Sequence, residues 1–129
     1  MKRVSLPLSL FVLALLTGQA RPDAPMVTDK LNKKIDNFTL TDSTGKTFSL
    51  HDLKEPKAVV LTFLSFDCPV SNSYAQPLAD LHRTFAKKGV AFVGIAFTGK
   101  DELARHVKDF GLPFPVLSDR ELVVADLCK

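Results

Sequence analysis

Cysteine is scarce in this chain of 129 residues. There are two, Cys68 and Cys128. That count excludes a disulfide-stapled scaffold and a cysteine-rich zinc site. Histidine is nearly as rare: His51, His82 and His106. No two of them stand at a metal-ligand spacing, and each reads as a surface residue rather than a ligand. A strong excess of charge is also missing. The formal net charge is +3, and Lys and Arg are scattered, with pairs only at Lys33–Lys34 and Lys87–Lys88. Nucleic acid and anionic membrane surfaces are therefore not expected partners. There is no apolar stretch of the roughly 20 residues that a membrane span needs. Internal repeats and low-complexity segments are absent as well.

The first twenty residues form a unit of their own. Lys2 and Arg3 give a positive start, Leu6 to Leu16 is apolar apart from Pro7 and Ser9, and "TGQA" puts Gly18 and Ala20 before a cut after Ala20. This is the pattern of a secretory signal peptide. The chain is thus expected to be exported, to a periplasmic or extracellular location, with no stable membrane insertion once the leader is cut. No cysteine follows the apolar run, which argues against a lipid-modified start. Removing the leader takes two basic residues and no acidic one. Fifteen bases then face fourteen acids, a net charge of +1. Export also permits disulfides to persist.

Beyond the leader the chain reads as one α/β domain. Residues 21–34 are polar and proline-containing, a flexible lead-in. "IDNFTL" (35–40) alternates and reads as a strand. "TDSTGK" is a turn with Gly45 free to take positive φ, and "TFSL" (47–50) returns as the second strand of a hairpin. "AVVLTFLSF" (58–66) is almost wholly apolar and reads as a strand covered on both faces. From Pro69 to Lys88 the period becomes helical, with Tyr74, Leu78, Leu81 and Phe85 on one face as its core side. Pro77 predicts a kink, and Gly89 ends the helix. "VAFVGIAF" (90–97) is a second buried strand, so the unit is βαβ with parallel strands. "GKDELARHVKDFG" (99–111) is a helix, "LPFPVLSD" (112–119) a proline-limited edge strand, and "RELVVADLCK" the start of another helix. The core strands would be left with a bare sheet edge, so residues 35–129 are expected to be an incomplete domain.

The stretch "SFDCPVSNSY" (65–74) carries the chemistry. In an open α/β sheet, reactive groups gather at the carboxyl ends of strands. Cys68 falls there, at the entrance of a helix whose N-terminus favours negative charge. Pro69 suits the first helical turn. Thiolate, the nucleophilic form, is favoured by such a position. The hydroxyls of Ser65 and Ser71 flank the sulfur and are expected to donate hydrogen bonds to it, or Ser71 to cap the local turn. The adjacent carboxylate of Asp67 opposes the thiolate. The alternative for Cys68 is a small, inert core residue.

A hairpin, then strand, "DCP", proline-kinked helix and strand, resembles the thioredoxin fold. "NFTLTDSTGKTFSLHDLK" and "FPVLSD" followed by "RELVVADL" resemble the peroxiredoxins (the alkyl hydroperoxide reductase and thiol-specific antioxidant family) and their redoxin-domain relatives. The resemblance covers residues 35–129. It implies a thioredoxin-like redoxin domain with a single active-site cysteine. Two departures bear on activity. Thioredoxin-like reductases carry C-x-x-C, whereas Ser71 stands in the second position here. Peroxiredoxins carry a proline seven residues, and a threonine or serine three residues, before the reactive cysteine; Ser65 matches and Leu61 does not. The cis-proline that the family places beside the sulfur would lie beyond Lys129.

The expected function is that of an exported, thiol-dependent oxidoreductase. Cys68 is the nucleophile, tuned by Asp67, Pro69 and Ser71, with Ser65 contributing a hydroxyl, and no cofactor is called for. One thiol can attack a disulfide or a peroxide, but turnover needs a second. Cys128 is the internal candidate for that resolving role, or a core residue on a helix face. An external thiol or a disulfide-bearing protein is the other partner. The rival expectation is a non-catalytic binding module, or a copper carrier, although Cu(I) prefers several soft ligands.

Overall fold

The computed structural model describes residues 33–128. The leader and cleavage site at 1–20, and the lead-in up to residue 32, lie outside them. No helix among the described residues is long and apolar enough to cross a membrane.

Five strands form one mixed sheet: β1 (Thr39–Asp42), β2 (Thr47–Ser49), β3 (Ala58–Leu64), β4 (Val90–Ala96) and β5 (Val116–Ser118). Their spatial order is β2-β1-β5-β4-β3. β1 and β2 make the expected hairpin, with Gly45 at φ +89° in its turn, but the first strand begins at Thr39 rather than at residue 35 and runs on through Thr41 and Asp42, which were expected in the turn. The Asp42 carboxylate accepts from the Thr44 hydroxyl and from the N–H groups of Thr44 and Lys46. Such a local bond set is how an aspartate closes a turn. β3 and β4 run parallel, as a helical connection requires. In this register Leu64 pairs Ala96, and Ala96 pairs Ser118. The segments that follow all three strands therefore leave the sheet along one edge.

Two expectations about the edges are reversed. "LPFPVLSD" holds an inner strand, since β5 pairs with β1 on one side and β4 on the other. Pro113 and Pro115 precede the strand, and a proline lacks only the donor. The Pro115 carbonyl still accepts from the Gly94 N–H at 2.8 Å. The apolar run of β3, read as covered on both faces, belongs to the edge strand of the sheet. Val59 and Phe63 are exposed on it.

Four helices connect and cover the strands: α1 (Pro69–Ser73), α2 (Ala75–Phe85), α3 (Lys100–Asp109) and α4 (Val123–Leu127). The expected kink appears as a break at Tyr74 between α1 and α2. Pro77 accounts for it, because its ring and missing N–H act on the carbonyl four residues back, in Ser73. Tyr74, Leu81 and Phe85 do not form the core face: all three are exposed, and Leu78 is half-buried. The buried side is turned about one residue around the helix, to Ala75 and Ala79. Small alanines let α2 approach the sheet closely. The larger apolar stripe then overhangs the free edge of β3.

The core has two halves, one on each face of the sheet. Leu64, Phe92, Ala96 and Val116 pack with Ala75 of α2 and Leu103 of α3. Val93, Ile95 and Leu117 pack on the other face with Phe38 and with Val124 of α4. Ile95, Leu103, Leu117, Val93, Val116 and Val124 lose almost all solvent contact. Burying each such side chain contributes about 1.5–3 kcal/mol. Asp119, the one buried charged residue among the described residues, holds the start of α4. Its carboxylate accepts the N–H groups of Val123, Val124 and Ala125 at 2.7, 2.9 and 3.3 Å. Leu122, in the left-handed region at φ +59°, turns the chain between them.

Candidate active site

Cys68 lies four residues past β3 and is the N-cap of α1, with Pro69 in the first helical position. The local turn explains why. The Cys68 N–H donates to the Ser65 carbonyl at 3.2 Å, and the Cys68 carbonyl accepts from the Asn72 N–H at 3.0 Å. One residue thus ends the strand exit and opens the helix. Pro69 removes a donor that would have had no partner there. The thiol is half-buried and free. Asp67 is exposed to solvent, where its charge is screened.

Ser71 does not bond the sulfur as expected. Its Oγ accepts from the Ser65 N–H at 3.0 Å and ties α1 back to the end of β3. The hydroxyl in the second position of the motif therefore holds the loop. Ser65 takes part through its backbone, and the residue is exposed.

Asn72 was missed by the sequence reading. Its Nδ2 donates to the Phe66 carbonyl at 2.8 Å, in a part-buried bond. Asparagine is a weak helix former that prefers to bond nearby backbone. Finding one inside a predicted helix, one turn after the cysteine, was the available signal. Phe66 is itself buried. The residues from Ser65 to Cys68 are thereby held by two side chains of α1 and one backbone turn.

The sulfur opens onto a groove of about 400 Å³ lined by Thr62, Phe63, Leu64, Val70, Tyr74 and Leu78, with Ser71 beside Cys68. Its walls are almost entirely apolar, and it follows the free edge of β3. A neighbouring apolar groove of about 310 Å³ shares Leu78 and continues along α2 past Leu81 and Phe85. A larger depression, about 640 Å³ between Lys33, Lys34, His51 and Val59, does not include the thiol. It contains no cysteine, so thiol chemistry belongs to the smaller groove.

Cys128 follows α4 and packs with the half of the core that holds Phe38, Val93 and Ile95. That is the face opposite α2. The histidines are placed differently from the expectation of surface residues. His51 is exposed, but His82 and His106 are half-buried. His82 stands edge-on to Phe92 at 5.6 Å. His106 stacks on Phe66 at 4.5 Å. Among the described residues no group of three His, Cys, Asp or Glu side chains is arranged to hold a metal ion.

A hairpin joined to a parallel β3–α2–β4 unit, with a thiol at the carboxyl edge, defines a thioredoxin-like α/β protein. The structure superposes on that of peroxidoxin BcpB from Mycobacterium tuberculosis with a TM-score of 0.68 at 28% identity, over 74% of this chain and 63% of that one. In sequence it is 31% identical to chloroplastic peroxiredoxin Q of Triticum aestivum, over 88% of this chain and 53% of that protein. It is 34% identical to thiol-disulfide oxidoreductase ResA of Bacillus subtilis (strain 168), over 70% of this chain and 50% of that protein. Residues 31–129 match the AhpC/TSA family, and the chain belongs to it. It spans about half the length of these curated relatives.

Proposed function

We propose that this chain carries the nucleophilic half of an exported thiol–disulfide oxidoreductase, with Cys68 as its attacking sulfur. The observation that carries the reading is the position of Cys68. It caps a helix, in a loop tied by Ser71 and Asn72, and opens onto an apolar groove. In the forward step the Cys68 thiolate attacks one sulfur of a substrate disulfide. The substrate S–S bond breaks, a mixed disulfide forms, and the other substrate sulfur leaves as a thiolate. A second thiolate then attacks the Cys68 sulfur or its partner sulfur and releases the mixed disulfide.

Disulfide exchange is favoured over peroxide reduction by the groove itself. Attack on a peroxide develops negative charge on the leaving oxygen, which calls for aimed hydrogen-bond donors. The surface around Cys68 is mostly apolar, and of its three hydroxyl-bearing residues, Thr62, Ser71 and Tyr74, Ser71 is fixed to the loop by accepting from the Ser65 N–H. A disulfide leaves as a soft, polarisable thiolate and suits such walls. Cys128 packs on the opposite face of the sheet from α2, so the resolving thiol is assigned to an external partner. Export rests on the leader pattern of residues 1–20, and mass spectrometry of the secreted protein should find Arg21 first.

The reading is tested with glutathione disulfide and hydrogen peroxide on the folded chain. The expected result is a glutathione adduct on Cys68 that forms faster than any sulfenic acid. It is absent in Cys68→Ser and reversed by an external thiol in Cys128→Ser. A folded protein whose Cys68 resists both reagents would return it to an inert residue and favour a binding module. Failure of Cys128→Ser to be reduced externally would restore Cys128 as the resolving thiol.

A further inference from the structure

Phe66 stands two residues before the thiol and is held from two directions. Its carbonyl accepts from Asn72 of α1 at 2.8 Å. Its ring is covered by α3: the His106 ring stacks on it at 4.5 Å with only 9° between the planes, and Phe110 lies at 5.6 Å and 25°. Glu102, one turn before His106, places Oε1 3.5 Å from its Nε2, an ion-pair distance rather than a hydrogen bond. Neither His106 of α3 nor Phe110, its C-cap, belongs to the loop that carries Cys68. The ring is therefore the mechanical link between α3 and the end of β3.

We propose that His106 is a positioning residue for Cys68 and acts through the ring of Phe66; the proposal rests on the role of Cys68 as nucleophile. Offset-stacked rings attract one another beyond their burial, and such a contact fixes a plane as well as a distance. The flat His106 ring sets the orientation of the Phe66 ring, and hence of its backbone. The Phe66 carbonyl then stays where Asn72 can reach it. The Ser65–Cys68 turn keeps the thiol at the mouth of the groove instead of sampling other orientations. Without a flat face on α3, the Phe66 side chain remains buried but can tilt. Displacement of a reacting group by about 1 Å can slow a reaction by up to about a hundredfold. Loosening one wall of the turn is expected to cost less, roughly five- to tenfold.

The test uses the full chain carrying Cys128→Ser, so that only Cys68 reports. His106→Leu keeps apolar bulk without a flat ring, and His106→Phe restores the ring without the imidazole. The rate of mixed-disulfide formation with a small neutral disulfide is measured for each, alongside the urea midpoint and hydrogen exchange at the Cys68 amide. The expected result is a five- to tenfold slower reaction and faster amide exchange in His106→Leu, with both returned to within twofold of the parent in His106→Phe. Equal rates in all three proteins would overturn the positioning role while leaving Cys68 as the nucleophile. So would a loss in His106→Leu that His106→Phe does not repair. A parent protein with an unreactive Cys68 would instead remove the reading on which the proposal rests.

Discussion

Replacing Asp119 by alanine should loosen α4 without touching the chemistry of Cys68. Asp119 is fully buried, and its two carboxylate oxygens accept three backbone N–H groups at the start of α4. The helix is only five residues long, so these bonds are most of what fixes its first turn. Loss of a capping side chain costs about 1 kcal/mol. The Val124 N–H is buried with its residue, and leaving such a donor unpaired adds about 1–3 kcal/mol. Some of that is recovered if water enters or the turn frays, which gives a net loss of about 2–3 kcal/mol. With a urea m-value of roughly 1–2 kcal/mol/M for a domain of this size, the midpoint should fall by about 1–3 M. Asp119→Asn keeps one acceptor and should lie between alanine and the parent. Cys128 follows α4 directly, so its alkylation should accelerate in Asp119→Ala, while Cys68 keeps its parent rate. A midpoint shift below about 0.3 M in urea, with Cys128 still protected, would show that α4 is held by its apolar contacts and that the cap is dispensable.

Other perturbations address the hairpin, the loop and the edge. At Asp42, burial raises the carboxyl pKa, but hydrogen bonds from the Thr44 hydroxyl and the N–H groups of Lys46, Thr44 and Gly45 outweigh it and hold the pKa below its usual 3.8. A depressed folded pKa contributes stability above the unfolded value that is lost as pH falls through the folded one. Asp42→Asn should therefore lower the urea midpoint near pH 7 and show a flatter decline than the parent below about pH 4. Asn72→Ala removes the donor to Phe66; a loss of about 1 kcal/mol is expected, together with a severalfold slower reaction of Cys68 with glutathione disulfide. Ser71→Cys restores C-x-x-C spacing at a helix start and should yield an internal disulfide with Cys68, seen as a loss of two mass units in a Cys128→Ser background. Phe63→Lys places a charge on the exposed edge strand and should reduce concentration-dependent light scattering, because edge lysines block strand-to-strand association.

The elements that could be read in advance are those set by neighbouring residues. Gly45 between two alternating segments marked the hairpin. Two apolar runs joined through a helical period ending at Gly89 marked the βαβ unit. Pro69 after Cys68 marked a helix entrance at the reactive thiol. What was misread depends on parts of the chain far apart in sequence. "AVVLTFLSF" has the composition of a covered strand, but its place in the sheet is decided by which strands flank β4. β5 took the inner position instead, since its prolines lie before its ladder. The core face of α2 followed Ala75 and Ala79, two small residues that a search for large apolar side chains passes over. Asn72 stands out locally as an asparagine inside a helical stretch, whereas His106 meets Phe66 only through the fold, and no local pattern announces that contact.

Tyr74 has a practical consequence. It is the only tyrosine of the chain, which contains no tryptophan. It stands 58% exposed in the wall of the groove that also contains Cys68. The ten phenylalanines absorb weakly and at shorter wavelength. At the long-wavelength end of the near-ultraviolet, where phenylalanine no longer absorbs, the absorption, circular dichroism and intrinsic emission of this protein therefore originate in one ring beside the thiol. An optical signal that in most proteins averages over the whole molecule is here a local reporter. It allows docking of a partner at Cys68 to be followed in real time without a label.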